Sequence, residues 1–375
     1  MSEKQIESFL KYYAIDIENT EGVEVIQNLD GGYVILANYS QEATLETDRD
    51  ILIIYCDEFG RMSSNSPLQI GTNGFDQGNS IIRSGDGFII AGSSLIGTQK
   101  LGYLSKIGNN GQQIWQQTYG GYKEMEFNAV IQHQDGGYIM TGYFMNENDE
   151  KEIILYKTDS NGDSLWVREM GYTGFNNIGE SLERYQDRLL IIGTNTPLNP
   201  SEHSNMLILN TNLEGRGIFA LWITGEEDLI GEEIVLDPDG DLYIMGNEHN
   251  SLGDSRIYLA RLQLIGDNLE EVELDYYKYL EDVNSVWGED LESTEPGSMA
   301  ICGWESSQND INIYFINVDN NFQVTNRQTY GSKGYQATQG LYYTNDEGYS
   351  LTGSVDLGGG RTSILLKLDR EGKLQ

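Results

Sequence analysis

The stretch Asp135-Gly-Gly-Tyr-Ile-Met-Thr-Gly142, followed by Glu152-Ile-Ile-Leu-Tyr-Lys-Thr-Asp-Ser-Asn-Gly-Asp-Ser-Leu-Trp166, decides the fold. Its first part is a turn feeding an apolar strand that closes on a small residue. Its second part is another apolar strand, a turn, and the start of a further strand. Asp and Gly at such turns supply local side-chain acceptors and positive φ, the chemistry a hairpin needs.

The pattern recurs along the chain. The apolar strand reads Tyr33-Val-Ile-Leu-Ala37, Phe88-Ile-Ile-Ala-Gly92, Tyr138-Ile-Met-Thr-Gly142 and Leu189-Leu-Ile-Ile-Gly193. It continues as Leu242-Tyr-Ile-Met-Gly246, Met299-Ala-Ile-Cys-Gly303 and Tyr349-Ser-Leu-Thr-Gly353. Seven copies are separated by steps of 55, 50, 51, 53, 57 and 50 residues between the closing small residues. The second turn gives an independent count through Asp57, Gly108, Asp159, Asn212, Gln263, Asp319 and Asp369. Three residues after these stand Gly60, Gly111, Gly162, Gly215, Gly266, Phe322 and Gly372. Two columns in register seven times establish a period of the kind that repeat architectures show.

Each period holds about four short strands rich in Val, Ile, Leu and Tyr and nearly free of Pro. In the clearest copy they are expected near 128–134, 138–144, 152–158 and 163–170. One small sheet cannot bury its own faces, but sheets stacked radially bury them against each other. The expectation is an all-β, seven-bladed β-propeller, four antiparallel strands per blade, forming one domain over 1–375. Its blades fall at about 22–70, 71–118, 119–170, 171–223, 224–278, 279–328 and 329–375. Trp115 and Trp166 lie four residues after their turn Gly, and Tyr119 lies four after Trp115. Phe9 and Tyr13 repeat that spacing, so residues 6–14 are expected to supply the outer strand of the seventh blade and close the ring. Closure removes exposed sheet edges.

The segments quoted above, with Thr118-Tyr-Gly-Gly121, resemble the Asp-Gly-Gly-Tyr propeller repeats of secreted and surface-anchored bacterial proteins. The likeness covers nearly the whole chain; it is close in blades 1, 2, 3 and 7. It is looser in blades 4 to 6, where Arg188, Asp241 and Ser298 replace the second Gly. The resemblance implies a propeller, export to the periplasm or cell exterior, and often a lipid anchor on the precursor. In a mature lipoprotein Met1 would stand in place of the lipidated cysteine. It implies no single activity, because propellers host many functions.

Composition narrows the partners. With 23 Lys plus Arg against 59 Asp plus Glu, the formal charge is -36, a field that repels nucleic acid and anionic lipid. No apolar run reaches the roughly 18 residues of a membrane helix. Cys56 and Cys302 sit in apolar stretches and read as buried free thiols. The N-terminal residues Met-Ser-Glu-Lys-Gln-Ile-Glu-Ser-Phe show no basic and apolar export signal. The expected oligomeric state is a monomer.

Binding residues belong on the loops of one face, which are the least regular part of such a scaffold. The second-to-third strand loops vary most, at 41–48, 93–100, 145–150, 195–204, 247–255, 305–309 and 355–361. Carboxylates crowd the loops between blades: Glu18, Glu21, Asp76, Glu124, Glu126, Glu180, Glu226, Glu227, Asp228, Glu232, Glu289 and Asp290. They read first as a solvated acidic rim. A divalent cation such as calcium, or a cationic ligand, would also suit them. Asp237-Pro-Asp-Gly-Asp241 and Asp159-Ser-Asn-Gly-Asp163 resemble short calcium loops but fall at hairpin turns that require Asp and Gly. His203 and His249, each beside a Glu, could join in a transition-metal site across adjacent blades. No resident cofactor or metal site is assigned.

Aromatic residues make the stronger case. Trp287, Trp304, Tyr143, Phe75, Tyr122, Phe175 and Tyr335 are placed in or beside the same set of loops. Rings beside carboxylates and amides suit sugars, whose C–H faces stack while their hydroxyls hydrogen-bond. The other reading of these rings is inter-blade packing, the role given to Trp115 and Trp166. No catalytic residue is assigned. The functional expectation is a non-catalytic binding or scaffold propeller of the cell envelope or exterior, presenting its loop face to a glycan or an envelope protein. The alternative is a carbohydrate-active hydrolase or lyase using carboxylates at the channel mouth.

Overall fold

The structure is a computed structural model that describes residues 8–14, 19–40, 49–280, 284–307, 310–331, 333–356 and 358–374. Loop 41–48 and Glu18, both expected on the loop face, lie outside the described residues, as do residues 6 and 7 of the expected closing strand.

The described residues form strands and turns, with no helix among them. In chain order the strands are β1 (Phe9–Tyr13), β2 (Thr20–Gln27), β3 (Tyr33–Tyr39), β4 (Asp50–Cys56), β5 (Leu68–Ile70), β6 (Phe75–Ser84) and β7 (Gly87–Ile96). They continue as β8 (Gln99–Gly108), β9 (Gln113–Tyr119), β10 (Met125–Gln132), β11 (Tyr138–Met145), β12 (Lys151–Thr158), β13 (Ser164–Met170) and β14 (Phe175–Tyr185). Then come β15 (Arg188–Pro197), β16 (Asn205–Asn212), β17 (Phe219–Ile223), β18 (Asp228–Leu236), β19 (Leu242–His249), β20 (Ser255–Ile265) and β21 (Glu271–Tyr279). The last are β22 (Ser285–Glu295), β23 (Ser298–Ser307), β24 (Asp310–Val318), β25 (Val324–Tyr330), β26 (Gln336–Tyr343), β27 (Tyr349–Asp356) and β28 (Arg361–Leu368).

These strands make seven four-stranded antiparallel sheets, and the fold is a seven-bladed β-propeller. Six sheets are four consecutive strands. The seventh has the order β1-β28-β27-β26, with Phe9 opposite Lys367 and Tyr13 opposite Ser363. The second strands are buried along their length, Tyr33–Tyr39 without exception, because both of their faces are covered.

The chain divides into two compact units. One comprises the described residues up to Gly78 with Glu289–Thr294 and those from Ser298 onward; the other comprises Asn79–Gly288 and Glu295–Gly297. Within the first unit, buried Ile35, Ala37, Leu52 and Ile54 of the first blade pack with Tyr13 of β1 and Leu365 of β28. Tyr13 donates its hydroxyl to the Gly60 carbonyl at 3.0 Å, and Tyr330 does the same to Gly372 at 2.5 Å. Within the second unit Tyr119 donates to Gly162 at 2.7 Å. Each of these tyrosines ends an outer strand and reaches the second turn of the next blade, so the aromatic column is a latch between blades.

The second turns share one device. The side-chain oxygen Oδ1 of Asp57, Asp159, Asn212, Asp319 and Asp369 accepts the backbone N–H groups two and four residues on. The fifth blade departs from the expected column. There β20 runs through Gln263 to Ile265, and the turn lies at Gly266 to Leu269, whose N–H reaches the Gly266 carbonyl at 3.2 Å. No helix among the described residues is long and apolar enough to cross a membrane.

Candidate functional site

The site is built around a defect that recurs in the first strand of five blades. In β2, β10, β14, β18 and β26 the ladder skips a residue, between Gly22 and Glu24, Phe127 and Ala129, Gly179 and Ser181, Gly231 and Glu233, and Thr338 and Gly340. A bulge of this kind redirects the side chain of the skipped residue. The skipped residues are Val23, Asn128, Glu180, Glu232 and Gln339, four of them polar. Glu289, after Gly288 in β22, occupies the corresponding place in the repeat. Second-strand side chains hold the same repeat position of the following first strand in two other blades: Asn38 bonds both the N–H and C=O of Gly78, and Asn247 both those of Gly288.

In the first unit the half-buried Glu289 accepts the indole N–H of Trp304 at 3.0 Å. Nearby Glu21, 7% exposed, receives Arg361 Nη1 at 3.1 Å and Gln339 Nε2 at 3.1 Å, with Arg49 Nη2 3.9 Å from its other oxygen. The Arg361 guanidinium lies 4.3 Å from the ring centre of Tyr335. Burial pushes the Glu289 carboxyl up to about 7, and the charges of Glu21 and Asp290 act in the same direction against the Trp304 N–H. Its neighbours on β22 follow suit. Asp290 is raised by burial although Leu341 N–H bonds it at 2.7 Å, and Glu292 is raised by burial and by Asp290 and Glu24. The cluster thus holds a carboxyl that is half protonated near neutrality, an ion-paired carboxylate, two arginines and two aromatic rings. It can donate and accept hydrogen bonds from fixed positions.

Of the seven aromatic residues expected at a site, Trp304 and Tyr335 come together here. Tyr143 is 6% exposed, with Lys151 Nζ 3.9 Å from its ring centre, so its ring is part of the packing. Tyr122 packs at a tilt against Phe144, ring centres 4.3 Å apart, and donates to Glu169 at 2.5 Å. Phe175 meets Trp222 edge-on at 5.7 Å, beside Tyr172. Trp287 is half-buried and stacks with His249 at 5.7 Å. Phe75 opens β6 with its ring 44% exposed.

In the second unit Glu126, 7% exposed, pairs with Lys100 and accepts Asn79 Nδ2 at 2.9 Å. His203 and His249 flank Asp228, with Nδ1 atoms 3.8 and 4.0 Å from its two oxygens. No group of three or more His, Cys, Asp or Glu side chains is placed to hold a metal ion among the described residues. At the two calcium-like loops, Asp159 Oδ1 and Asp237 Oδ1 accept amides of their own turns, and Asp237 Oδ2 accepts Gly297 N–H at 2.9 Å.

Gln339 and Lys151 were absent from the sequence expectation, and Lys100 and Arg361 entered it only as the ends of variable loops. A signal for three of them existed: Arg49, Lys100, Lys151 and Arg361 each stand eight residues before Asp57, Gly108, Asp159 and Asp369 of the turn column. In a chain with 23 basic residues, four at one repeat position is a pattern.

No protein-family model matches the chain, and no curated protein matches its sequence. Its fold is similar to the β-propeller domain of the Trilobed protease from Pyrococcus furiosus, described as having an open velcro topology. That likeness has a TM-score of 0.52 at 7% identity, over 93% of this chain and 95% of that one. It is similar to polysaccharide lyase Uly1, with TM-score 0.56 at 10% identity over 93% and 90%. It is also similar to puromycin hydrolase, with TM-score 0.56 at 9% identity over 95% of this chain and 52% of that one. At such identities the likeness is one of fold.

Proposed function

We propose that the chain is a non-catalytic binding propeller of the cell envelope or exterior that presents the Glu289–Trp304 cluster to a glycan. The observation that carries this reading is the state of the polar groups. Glu289, Glu21, Arg361 and Gln339 are already held by partners within the cluster, a preorganised frame of donors and acceptors beside two half-buried rings. Sugar hydroxyls bind to frames of this type with little reordering. The export half of the proposal rests on the likeness to secreted Asp-Gly-Gly-Tyr repeats.

An oligosaccharide array followed by calorimetry tests it. A binding sugar is expected, with affinity falling about 10-fold in Trp304→Phe, which removes one buried N–H donor. Retained affinity in that variant, or an array with no binder, overturns the proposal. A second reading, a carbohydrate-active hydrolase or lyase, is favoured by one feature: Glu289 titrates near neutrality beside an ion-paired Glu21, the kind of separation an acid–base pair uses. Product release from a polysaccharide, reduced about 10²-fold or more in Glu289→Gln, would establish it over the binder.

A further inference from the structure

Glu180, at the bulge of β14 in the second unit, holds the repeat position that Glu289 holds in the first, and a lysine lies beside it. Glu180 is half-buried and accepts Asn128 Nδ2 at 2.8 Å. Glu126 beside it is paired to Lys100, whose ammonium also reaches the Tyr143 hydroxyl at 3.2 Å. Across the Tyr143 ring lies Lys151, which opens β12; its ammonium has no hydrogen-bond or ion-pair partner among the described residues. The amide of Asn79 completes the group, bonded to Glu126 and to the Phe127 carbonyl.

We infer that the second unit carries a separate site for an anionic sugar residue, bearing a carboxylate or a sulfate, with Lys151 taking the anionic group and Glu180 and Asn128 taking hydroxyls. An ammonium held over a fixed aromatic ring with its N–H groups not hydrogen-bonded to protein is a directed donor, and a charge-assisted bond to it is about twice as strong as a neutral one. The chain's negative field opposes an anionic ligand, but exposed charges beyond roughly 8 Å are largely screened at physiological salt, so the local ammonium decides at short range. The groups facing Glu180 are Glu126, Lys151 and Tyr143, with Lys100 neutralising Glu126 and Glu124 lying near Tyr143. Burial and the charge of Glu126 push Glu180 up to about 7. Its anion would repel an anionic ligand, so binding should weaken as pH rises through that value. The inference rests on the proposed function only in taking the ligand to be a sugar.

The experiment is calorimetry with three oligosaccharides of one length: an oligouronate, a sulfated oligomer and a neutral one. It is run at pH 6 and pH 8 on the whole chain and on the Lys151→Gln, Glu180→Gln and Glu289→Gln variants, with melting curves confirming that each folds. The expected result is preference for an anionic probe, lost by about 10-fold or more in Lys151→Gln. Affinity should fall several-fold from pH 6 to 8 in the parent and stay level in Glu180→Gln. The two anionic probes decide between carboxylate and sulfate. Anionic binding unchanged in Lys151→Gln, or its pH response unchanged in Glu180→Gln, overturns the inference. Binding lost in Glu289→Gln alone leaves the proposed function standing without the second site, and no binding by any probe removes both.

Discussion

At the scale of single residues, Gly162 shows what one column of the repeat demands. Its φ is +83°, and a Cβ there would come 2.9 Å from Cζ3 of Trp115. Gly162→Ala is therefore expected to lose about 1–3 kcal/mol, from positive φ and from displacing the indole, read as a lower urea midpoint with unchanged slope. Tyr119→Phe should cost about 1–2 kcal/mol, since the Gly162 carbonyl then loses its buried donor. The glycine column was legible because only Gly takes such backbone freely. It also has exceptions that propensity cannot foresee: Phe322 holds the same turn position at φ +53° with its ring fully buried, and Gln186 and Glu347 take positive φ in first turns. The site residues were legible in part. Trp304 and Tyr335 stood out as loop aromatics and Glu21 and Glu289 as loop acids, but Arg361 and Gln339 are set beside them by register between strands distant in sequence.

At the scale of elements, the first strand of the third blade begins earlier than its periodicity predicts, and the reason is physical. The expected strand at 128–134 is β10 at Met125–Gln132, because the bulge at Asn128 breaks the alternation that marks a strand. The bulge that hides the strand's beginning from a periodic reading is also what sets the site. The closing strand was legible for the opposite reason: Phe9 and Tyr13 keep the spacing of Trp115 and Tyr119. In β1, Phe9 meets Tyr33 edge-on at 6.2 Å, and Tyr13 is 4% exposed, bonded to Gly60 and to the Cys56 thiol at 3.1 Å. Deleting residues 1–15 removes those contacts and uncovers the edge of β28. Losing two packed aromatic side chains costs several kcal/mol, so the melting temperature should fall by about 5 °C or more. A calorimetric scan of the truncated chain showing no shift would mean that β1 adds nothing to the blade.

At the scale of the whole molecule, the direction of the pH response follows from which carboxyls are buried. Glu180 and Glu289 are held at about 7 against an ordinary value of 4.5, so their folded forms bind a proton more tightly than the unfolded chain does. Such groups contribute stability that is fully present below about 4.5 and is lost as pH rises toward about 7. Glu248 is shifted down chiefly by Arg256, and Asp346 by the Thr344 hydroxyl and then Lys367, though burial alone would raise both; their contribution is instead lost on acidification. The two sets bracket an optimum on the acid side of neutrality. Net charge of -36 pushes the same way at higher pH, through self-repulsion of the compact state. Salt separates the causes, because long-range repulsion is screened while a half-buried carboxyl next to another is screened much less. Melting temperature is thus expected to fall by several degrees from pH 5 to pH 8 at low salt, and less so in 0.5 M salt. The part that survives salt should shrink in the Glu180→Gln, Glu289→Gln double variant, where neither position can ionise and only the other raised carboxyls, such as Asp290 and Glu292, remain. A decline that salt abolishes completely, or that persists undiminished in the double variant, would place the effect in the overall charge and leave these two carboxyls with no part in it.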